Sequence, residues 1–199
     1  MSHPIVLAIT GASGAVYAVR LLETLVQVGR TVHLIISPSG RDVLRHELHV
    51  SVDLDHFDVS RIVDLTEKTG RVAYHHYQDF NAPIASGSFL TAGMVVCPCS
   101  GGTLGTIASG NASNLIHRAA EVHLKERRKI VLVPRETPLS LLHIDNMKRT
   151  AEAGAVILPA TPGWYHGVNS VLDLVDFVVA RILDQLAVEH SLMRRWGGE

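Results

Sequence analysis

The chain has 199 residues, of which 47% are hydrophobic and 19% charged, so it is long enough for one well-buried domain and short for two. Its 18 basic and 19 acidic residues leave a formal charge of -1, which argues against a general binder of nucleic acid or of anionic membranes. Because charged residues fall below the roughly 25% usual in soluble domains, we expect part of the surface to be buried between subunits.

The two cysteines, Cys97 and Cys99, flank a single proline. This spacing forms neither a disulfide framework nor a CxxC redox pair, so a reducing compartment is the simpler assumption. The first apolar stretch ends at Thr10 and is too short for a signal sequence or a membrane span. We therefore expect a cytoplasmic protein that does not bind membranes.

The elements alternate between strand and helix from the first residues. Residues 5–9 form a branched apolar run, which is typical of a strand buried on both faces of a parallel sheet. Apolar residues at helical spacing continue from Val16 to Val28, Gly29 provides a stop, and a second strand is predicted at 32–36. Two strands joined by one helix of this length must lie parallel.

The same alternation continues to the end of the chain. Strands are predicted at 94–97, 130–133 and 155–158, and helices near 102–108, 117–127, 141–153 and 171–186. The sequence therefore predicts one α/β domain over 1–199, doubly wound and flavodoxin-like or Rossmann-like, with a mainly parallel sheet and helices on both faces. Residues 50–89 show no regular pattern and receive no assignment.

A loop rich in small residues, Thr-Gly-Ala-Ser-Gly at 10–14, connects the first strand to the first helix. Backbone amides and the helix dipole make such a position a ready anion site. A dinucleotide fingerprint would require glycine in place of Ser13 and an acidic residue in place of Ser37, so NAD is disfavoured. No Lys-Ser or Lys-Thr pair follows, which excludes a P-loop. The remaining choices are a phosphate or flavin site, or merely a tight turn.

A second loop of this kind, Ser-Gly-Gly-Thr at 100–103, follows the strand predicted at 94–97. Open α/β sheets bind ligands at the carboxyl ends of their strands, and two such loops on one edge suit a phosphorylated ring cofactor. The alternative is that Ser100 only caps the next helix, a role compatible with holding a ligand.

Six motifs in the same order along nearly the whole chain resemble the UbiX-type flavin prenyltransferases. They are Thr-Gly-Ala-Ser-Gly at 10–14, Ser-Gly-Ser at 86–88, Cys-Pro-Cys-Ser at 97–100, Leu-Lys-Glu-Arg-Arg at 124–128, Val-Pro-Arg-Glu-Thr-Pro at 133–138 and Gly-Trp-Tyr-His at 163–166. The resemblance implies a flavodoxin-like Rossmann fold in the homo-oligomeric flavin-containing Cys decarboxylase superfamily. It also implies transfer of a dimethylallyl group from dimethylallyl phosphate to N5 and C6 of reduced FMN. The product would be the prenylated FMN that UbiD-type decarboxylases use, as in ubiquinone biosynthesis, and the expected assembly is a homododecamer.

The resemblance also assigns roles to individual residues. FMN would contact Gly11, Ala12, Ser13, Gly14, Ser37, Ser100, Gly101, Gly102, Thr103 and Arg135. The substrate would contact Arg118, Lys125, Arg135, Glu136, Tyr165, Arg181, Ser86, Gly87 and Phe80. Lys125 and its neighbours would enter from an adjacent subunit, and Phe80 would replace the tryptophan that often covers the prenyl chain.

These residue types suit the chemistry. Departure of phosphate leaves an allylic cation and an anion, and the cationic side chains of the site can bind the anion directly. No Asp-rich magnesium motif occurs, so we expect metal-independent transfer. Glu136 is the expected acid and base, and Ser13, assisted by Glu47, would relay a proton near N5.

Several of these residues also have a purely structural interpretation. The basic run 127–129 is more typical of a solvated helix end or of salt bridges between subunits, and Tyr165 would serve equally as a core aromatic residue. Most of the 12 histidines are expected to be structural, since the pairs at 75–76 and at 46 and 49 lack a third metal ligand. Arg181 borders an apolar stripe, where an unpaired charge would be costly, and this favours anion binding.

Two rival functions remain. A flavin-dependent cysteinyl decarboxylase would share the fold, but it relies on a Pro-x-Met-Asn type of motif, whereas this chain has Pro-Arg-Glu-Thr-Pro. A non-catalytic flavin carrier would not need Lys125, Glu136, Tyr165 and Arg181, and all four are present.

The nearly neutral net charge of the chain also hides a local basic cluster. Residues 118–135 carry six basic and two acidic side chains, a net +4 that suits a small phosphate.

Overall fold

All the strands of the computed structural model, which describes residues 3–66, 69–165 and 167–193, belong to one parallel sheet. The strands are β1 (Ile5–Ile9), β2 (Thr31–Ile36), β3 (Arg71–His76), β4 (Gly93–Cys99), β5 (Ile130–Pro134) and β6 (Val156–Ile157). The α-helices are α1 (Ala15–Gln27), α2 (Pro38–Leu48), α3 (Gly101–Ala108), α4 (Leu115–Lys125), α5 (Leu141–Glu152) and α6 (Val171–Gln185).

Helices cover both faces of the sheet because the side chains of each strand alternate between the two faces. On one face Leu7 and Ile9 of β1 belong to a core with α1 and α6. On the other face Val6 and Ala8 belong to a core with α3 and α4. Every residue of β1 is buried, as its continuous apolar run predicts. The doubly wound α/β fold is confirmed.

The strand order β3-β2-β1-β4-β5-β6 determines where a ligand can bind. The chain moves from β1 to β2 in one direction and from β4 to β5 in the other, so the winding reverses between β1 and β4. At such a switch point the following loops diverge to opposite faces and leave a crevice at the carboxyl ends of the strands. The order is that of Rossmann-type sheets.

The sequence pattern predicts neither β3 nor α2. Strand β3 lies within 50–89 and pairs with β2 at the edge of the sheet, where its residues are at most half buried. An edge strand of this kind lacks the apolar run of a central strand. Helix α2 begins with Ser37 as its N-cap and Pro38 in its first turn, which are local start signals for a helix with little apolar character. Other helix ends differ from the predicted ones by one or two residues.

Burial makes both cysteines poor nucleophiles. Cys97 and Cys99 are free thiols inside β4, and burial raises the pKa of both, that of Cys99 to about 12.

Within the described ranges of the chain, no helix combines the length and apolar character needed to cross a bilayer.

His123 of α4 is a buried histidine whose two ring nitrogens are both hydrogen-bonded. Nδ1 donates to the Ala119 carbonyl at 2.7 Å, and Nε2 accepts from the Thr91 hydroxyl at 2.8 Å. This arrangement satisfies the neutral ring. Burial lowers the pKa of His123 to about 4, and the nearby charge of Arg128 acts in the same direction.

Because unfolded histidine binds its proton near pH 6.5, we expect the free energy of unfolding to decrease as the pH falls from about 6.5 to about 4. At pH 5 this effect of His123 lowers the free energy of unfolding by about 2 kcal/mol. Urea unfolding at pH 7.5 and pH 5 should show a smaller pH effect in His123→Gln than in the original protein. Equal pH effects in the two proteins would contradict this assignment.

Candidate functional site at the switch point of the sheet

Two loops meet where β1 and β4 end, and Thr10 joins them. The Thr10 hydroxyl donates to the Pro98 carbonyl at 2.7 Å and accepts from the Ser100 amide at 2.9 Å. The loops at 10–14 and 100–103, singled out from the sequence, therefore line the same crevice.

The start of α2 forms a third wall of this crevice. The Ser37 hydroxyl accepts from the Gly40 amide at 3.0 Å, and the Ser37 amide donates to the Ile9 carbonyl at 3.0 Å. The backbones pack so closely that a Cβ on Gly11 would lie 2.4 Å from the Ser39 Cβ, and one on Gly40 would lie 2.5 Å from the Ile9 carbonyl oxygen. Glycine is thus required at two positions by packing.

Helix α3 begins at the crevice with His143 packed beside Gly101 and open space beside Gly102. The Ser100 hydroxyl caps the helix by accepting from the Thr103 amide at 3.3 Å, and it donates to the Thr103 hydroxyl at 3.0 Å. A Cβ on Gly102 would meet nothing within 4 Å. The amides of a first helical turn have no partners within the helix and carry the positive end of its dipole. Together with two hydroxyls and glycines, this donor set fits the phosphate of FMN.

The start of α1 is arranged differently, because the carboxylate of Glu47 from α2 binds there. Its Oε2 accepts from the Gly14 amide at 2.9 Å and from the Ala15 amide at 2.8 Å, and Gly14 has a φ of 113°. Partial burial raises the pKa of Glu47, but hydrogen bonds from Ser13 and the two amides, with the charge of Arg135, bring it below its ordinary value. Glu47 therefore occupies, as an anion, the position that the sequence suggested for a ligand phosphate, which leaves the start of α3 as the candidate phosphate site.

Arg135 and Glu136 follow β5, the strand next to β4. The Arg135 Nε donates to the Ser13 carbonyl at 3.2 Å, so Arg135 reaches the first loop. Glu136 is exposed, and its Oε1 accepts from the Thr137 amide at 3.2 Å. Both residues line a cavity of about 140 Å³. The structure thus brings the predicted FMN residues together with Glu47, Arg135 and Glu136.

Helix α4 and the segment packed against it carry three more of the predicted substrate residues, Arg118, Lys125 and Gly87. Lys125 ends α4, and a Cβ on Gly87 would lie 2.8 Å from its Nζ. The chain leads from the end of α4 into the start of β5, so Lys125 and the neighbouring Gly87 lie toward the amino ends of the strands, whereas the crevice lies at the carboxyl ends. Arg118 donates through Nε to the Ala85 carbonyl at 3.1 Å and pairs with Glu121 at 2.8 Å. Within a single chain Lys125 and Gly87 thus lie far from the crevice.

Tyr165 and Arg181 are two further predicted substrate residues, and each has a partner on α6. The Tyr165 ring packs edge-on against Phe177 with centroids 5.8 Å apart, and Phe177 lies one helical turn before Arg181 on the same face of α6. Arg181 is about half exposed and pairs with Asp184 at 2.7 Å. Arg181 therefore has a carboxylate partner within the chain, and its binding of an anion stays a prediction. His166 of the same sequence motif lies outside the described residues.

Phe80 lies beyond β3 and is 47% exposed. Its ring is therefore available as a surface, but it is not in the group of residues around Thr10 and Arg135. Histidines near β3 pair with each other, since His33 Nδ1 and His75 Nε2 are 2.7 Å apart. No cluster of three or more potential metal ligands occurs among the described histidine, cysteine and acidic side chains.

Arg128 has a role that the sequence did not reveal. It donates from one guanidinium nitrogen to the Phe89 carbonyl at 2.7 Å and from the other to the Gly87 carbonyl, so it is not a solvated helix-end charge. Partners that are backbone carbonyls leave no pattern in a sequence. Arg128 thereby determines the shape of the segment that carries Ser86 and Gly87.

We expect Arg128→Ala to loosen this segment, because each hydrogen bond from a charged donor to a half-buried carbonyl contributes about 1.5–3 kcal/mol. Amide hydrogen exchange at 86–92 should become at least about tenfold faster. Lys129→Ala removes the same charge from an exposed neighbour and serves as the control. Equal protection of 86–92 in the two variants would refute the role given to Arg128.

An open sheet whose switch point carries glycine-rich and hydroxyl-rich loops beside an arginine defines a class of α/β proteins that bind phosphorylated cofactors. The profile of the Flavoprotein family matches residues 1–183. The chain is 49% identical over 203 residues to "Flavin prenyltransferase UbiX" of Pseudomonas aeruginosa, covering 99% of this chain and 96% of that protein. It is 47% identical over 193 residues to the protein of the same name from Halalkalibacterium halodurans, covering 96% and 92%. The chain belongs to the Flavoprotein family and, within it, to the UbiX flavin prenyltransferases.

Solved structures agree with this membership. The crystal structure of AnUbiX with FMN and dimethylallyl pyrophosphate has a TM-score of 0.86 and 38% identity, with full coverage of both chains. A dodecameric FMN-dependent UbiX-like decarboxylase from Escherichia coli also has a TM-score of 0.86, with 39% identity over 98% of this chain and 100% of that one. A PPC decarboxylase shares only the fold, with a TM-score of 0.60 and 16% identity over 83% of this chain and 85% of that one.

Proposed function

We propose that this protein transfers the dimethylallyl group of dimethylallyl phosphate to N5 and C6 of reduced FMN. The main support for this proposal is the crevice, where the two loops joined by Thr10 meet Arg135 beside Ser13. Relatives named flavin prenyltransferase over nearly the whole chain support this activity, as does AnUbiX with FMN and dimethylallyl pyrophosphate. The cysteinyl decarboxylase alternative has support only at the level of the fold.

The crevice would hold FMN by its phosphate and along its ring. The first turn of α3, with Ser100, Gly101, Gly102 and Thr103, binds the phosphate, while Gly11, Ala12, Ser13, Gly14 and Ser37 line the rest. Arg135 adds a positive charge on the same side. When bound, reduced FMN supplies the electron-rich ring that accepts the prenyl group.

The leaving phosphate would be bound by cationic and hydroxyl donors in place of a metal ion. Arg135 lies at the crevice, and Tyr165 and Arg181 share one side of α6. Lys125 and Arg118, with Ser86, Gly87 and Phe80, complete the site from a neighbouring copy in a homo-oligomer, which we propose to be a dodecamer. These donors stabilise negative charge as the carbon–oxygen bond breaks.

Two carboxyl groups would take part in proton transfer. Glu136, exposed beside Arg135, protonates the departing phosphate and afterwards accepts a proton. Hydrogen bonds from Ser13 and from the amides at the start of α1 favour the ionised form of Glu47, so Glu47 accepts from the Ser13 hydroxyl and would hold it in one orientation. Glu47 thereby acts through Ser13.

The direct test is anaerobic incubation of the protein with reduced FMN and dimethylallyl phosphate, followed by mass spectrometry of the extracted flavin. We expect a flavin heavier by one prenyl group, and a parallel reaction with the diphosphate measures the preference for the leaving group. Bound but unmodified FMN would instead indicate the flavin carrier. The product would serve a UbiD-type decarboxylase, and the two free, buried cysteines fit a cytoplasmic location.

A further inference from the structure

A line of hydrogen bonds connects Arg181 to the interior of the protein. The Arg181 guanidinium donates to Asp184 Oδ2 at 2.7 Å, and Asp184 Oδ1 lies 3.2 Å from His190 Nε2. The Leu192 amide lies 3.4 Å from His190 Nδ1. Arg181 is therefore tied to the turn that follows α6.

The direction of these bonds follows from their chemistry. A backbone amide can only donate, so His190 Nδ1 accepts from Leu192, and the opposite nitrogen carries the hydrogen donated to Asp184. Side-chain exposure increases from 2% at His190 to 17% at Asp184 and 48% at Arg181. A buried ring thus fixes a carboxylate, and the carboxylate fixes one nitrogen of a guanidinium that is about half exposed.

The line ends beside the residues expected to bind phosphate. Arg181 lies one turn after Phe177, on the face of α6 where Phe177 contacts Tyr165. We infer that Asp184 and His190 are positioning residues that hold Arg181 in the orientation needed to bind the phosphate of the substrate. This inference rests on the proposed function in one respect, the assignment of Arg181 to the substrate phosphate.

The sign of one substitution separates positioning from simple charge effects. A carboxylate near an anion site repels the anion, so removing the charge of Asp184 would strengthen phosphate binding if charge alone mattered. If Asp184 instead orients Arg181, its removal weakens binding, because the guanidinium becomes free to adopt other rotamers. The two explanations predict opposite changes in the dissociation constant.

The experiment measures binding of inorganic phosphate and of dimethylallyl phosphate to the FMN-loaded protein by calorimetry. We expect Asp184→Asn to weaken both by about tenfold, and to have little further effect in an Arg181→Met background. Glu189→Gln removes a nearby exposed negative charge and should not weaken binding. Unchanged or tighter binding by Asp184→Asn, or an undiminished effect without Arg181, would overturn the inference.

The buried end is tested with two variants of His190. His190→Ala should weaken phosphate binding in the same direction as Asp184→Asn, and His190→Gln, which retains an N–H donor, should recover part of it. If His190→Ala does not fold, binding by the glutamine variant and by Asp184→Asn still decides the question. The KM for dimethylallyl phosphate should rise more than kcat falls, with an unchanged melting temperature in Asp184→Asn.

Turnover of the unaltered protein keeps the two proposals apart. Coupled phosphate binding without any prenylated flavin would contradict the proposed function and leave the positioning role intact. Prenyl transfer without coupling between Arg181 and Asp184 would contradict the positioning role and leave the proposed function intact.

Discussion

Replacing Glu136 with glutamine is expected to slow prenyl transfer by about 10²-fold or more, the usual contribution of a general acid or base. Glutamine keeps the size of the side chain and the bond from the Thr137 amide to a side-chain oxygen, but it cannot release or take up the proton. FMN should remain bound with unchanged affinity, because the substitution leaves the proposed phosphate site at α3 intact. Single-turnover mixing of reduced FMN-loaded protein with dimethylallyl phosphate measures the chemical step directly.

Glu152→Gln is the matched control, since it removes the same charge from the end of α5 next to β6, away from the crevice. We expect its rate to match that of the unaltered protein. Undiminished turnover by Glu136→Gln would remove Glu136 from the mechanism, and loss of FMN from this variant would assign Glu136 to cofactor binding instead.

Replacing Gly40 with alanine is expected to damage the crevice through packing alone. A Cβ there would lie 2.5 Å from the Ile9 carbonyl oxygen and 2.9 Å from its carbon, so α2 must move away from the end of β1. Forced overpacking of this kind costs about 1–3 kcal/mol of stability. The movement displaces Ser37 and the contact between Ser39 and Gly11, so we expect FMN affinity to fall at least about tenfold.

Urea unfolding and titration of flavin fluorescence measure the two effects separately. Gly105→Ala is the control, because its Cβ would meet only the flexible end of Asn146 at 3.2 Å. Its stability should change by less than about 1 kcal/mol, since alanine favours the helix. Normal FMN affinity in Gly40→Ala would show that the crevice does not depend on the close approach of α2 to β1.

Much of the site was predictable because short stretches of sequence are enough to identify its strands, loops and helix caps. The apolar run at 5–9 identifies a central strand, and the loop at 10–14 must then lie at a carboxyl edge. The position of Ser100 predicts a helix N-cap, and the structure confirms that Ser100 caps α3. The resemblance of six motifs in order identified the family that the comparisons confirm.

What could not be predicted depends on contacts between distant segments. Glu47 lies 33 residues from Gly14 and reaches the start of α1 only because α2 folds back over the crevice. Arg128 binds backbone carbonyls 39 and 41 residues away. A carbonyl is present at every residue, so the composition of 86–89 carries no trace of this partner.

The sequence by itself therefore determined the doubly wound sheet, the edge on which its ligand loops lie and the family, because apolar periodicity and glycine-rich turns are local properties. Only the tertiary structure decided which anion site Glu47 fills, which loop Arg128 holds and how Asp184 holds Arg181. A charged side chain takes the partner that the folded backbone brings within hydrogen-bonding distance, and that partner depends on the path of the whole chain.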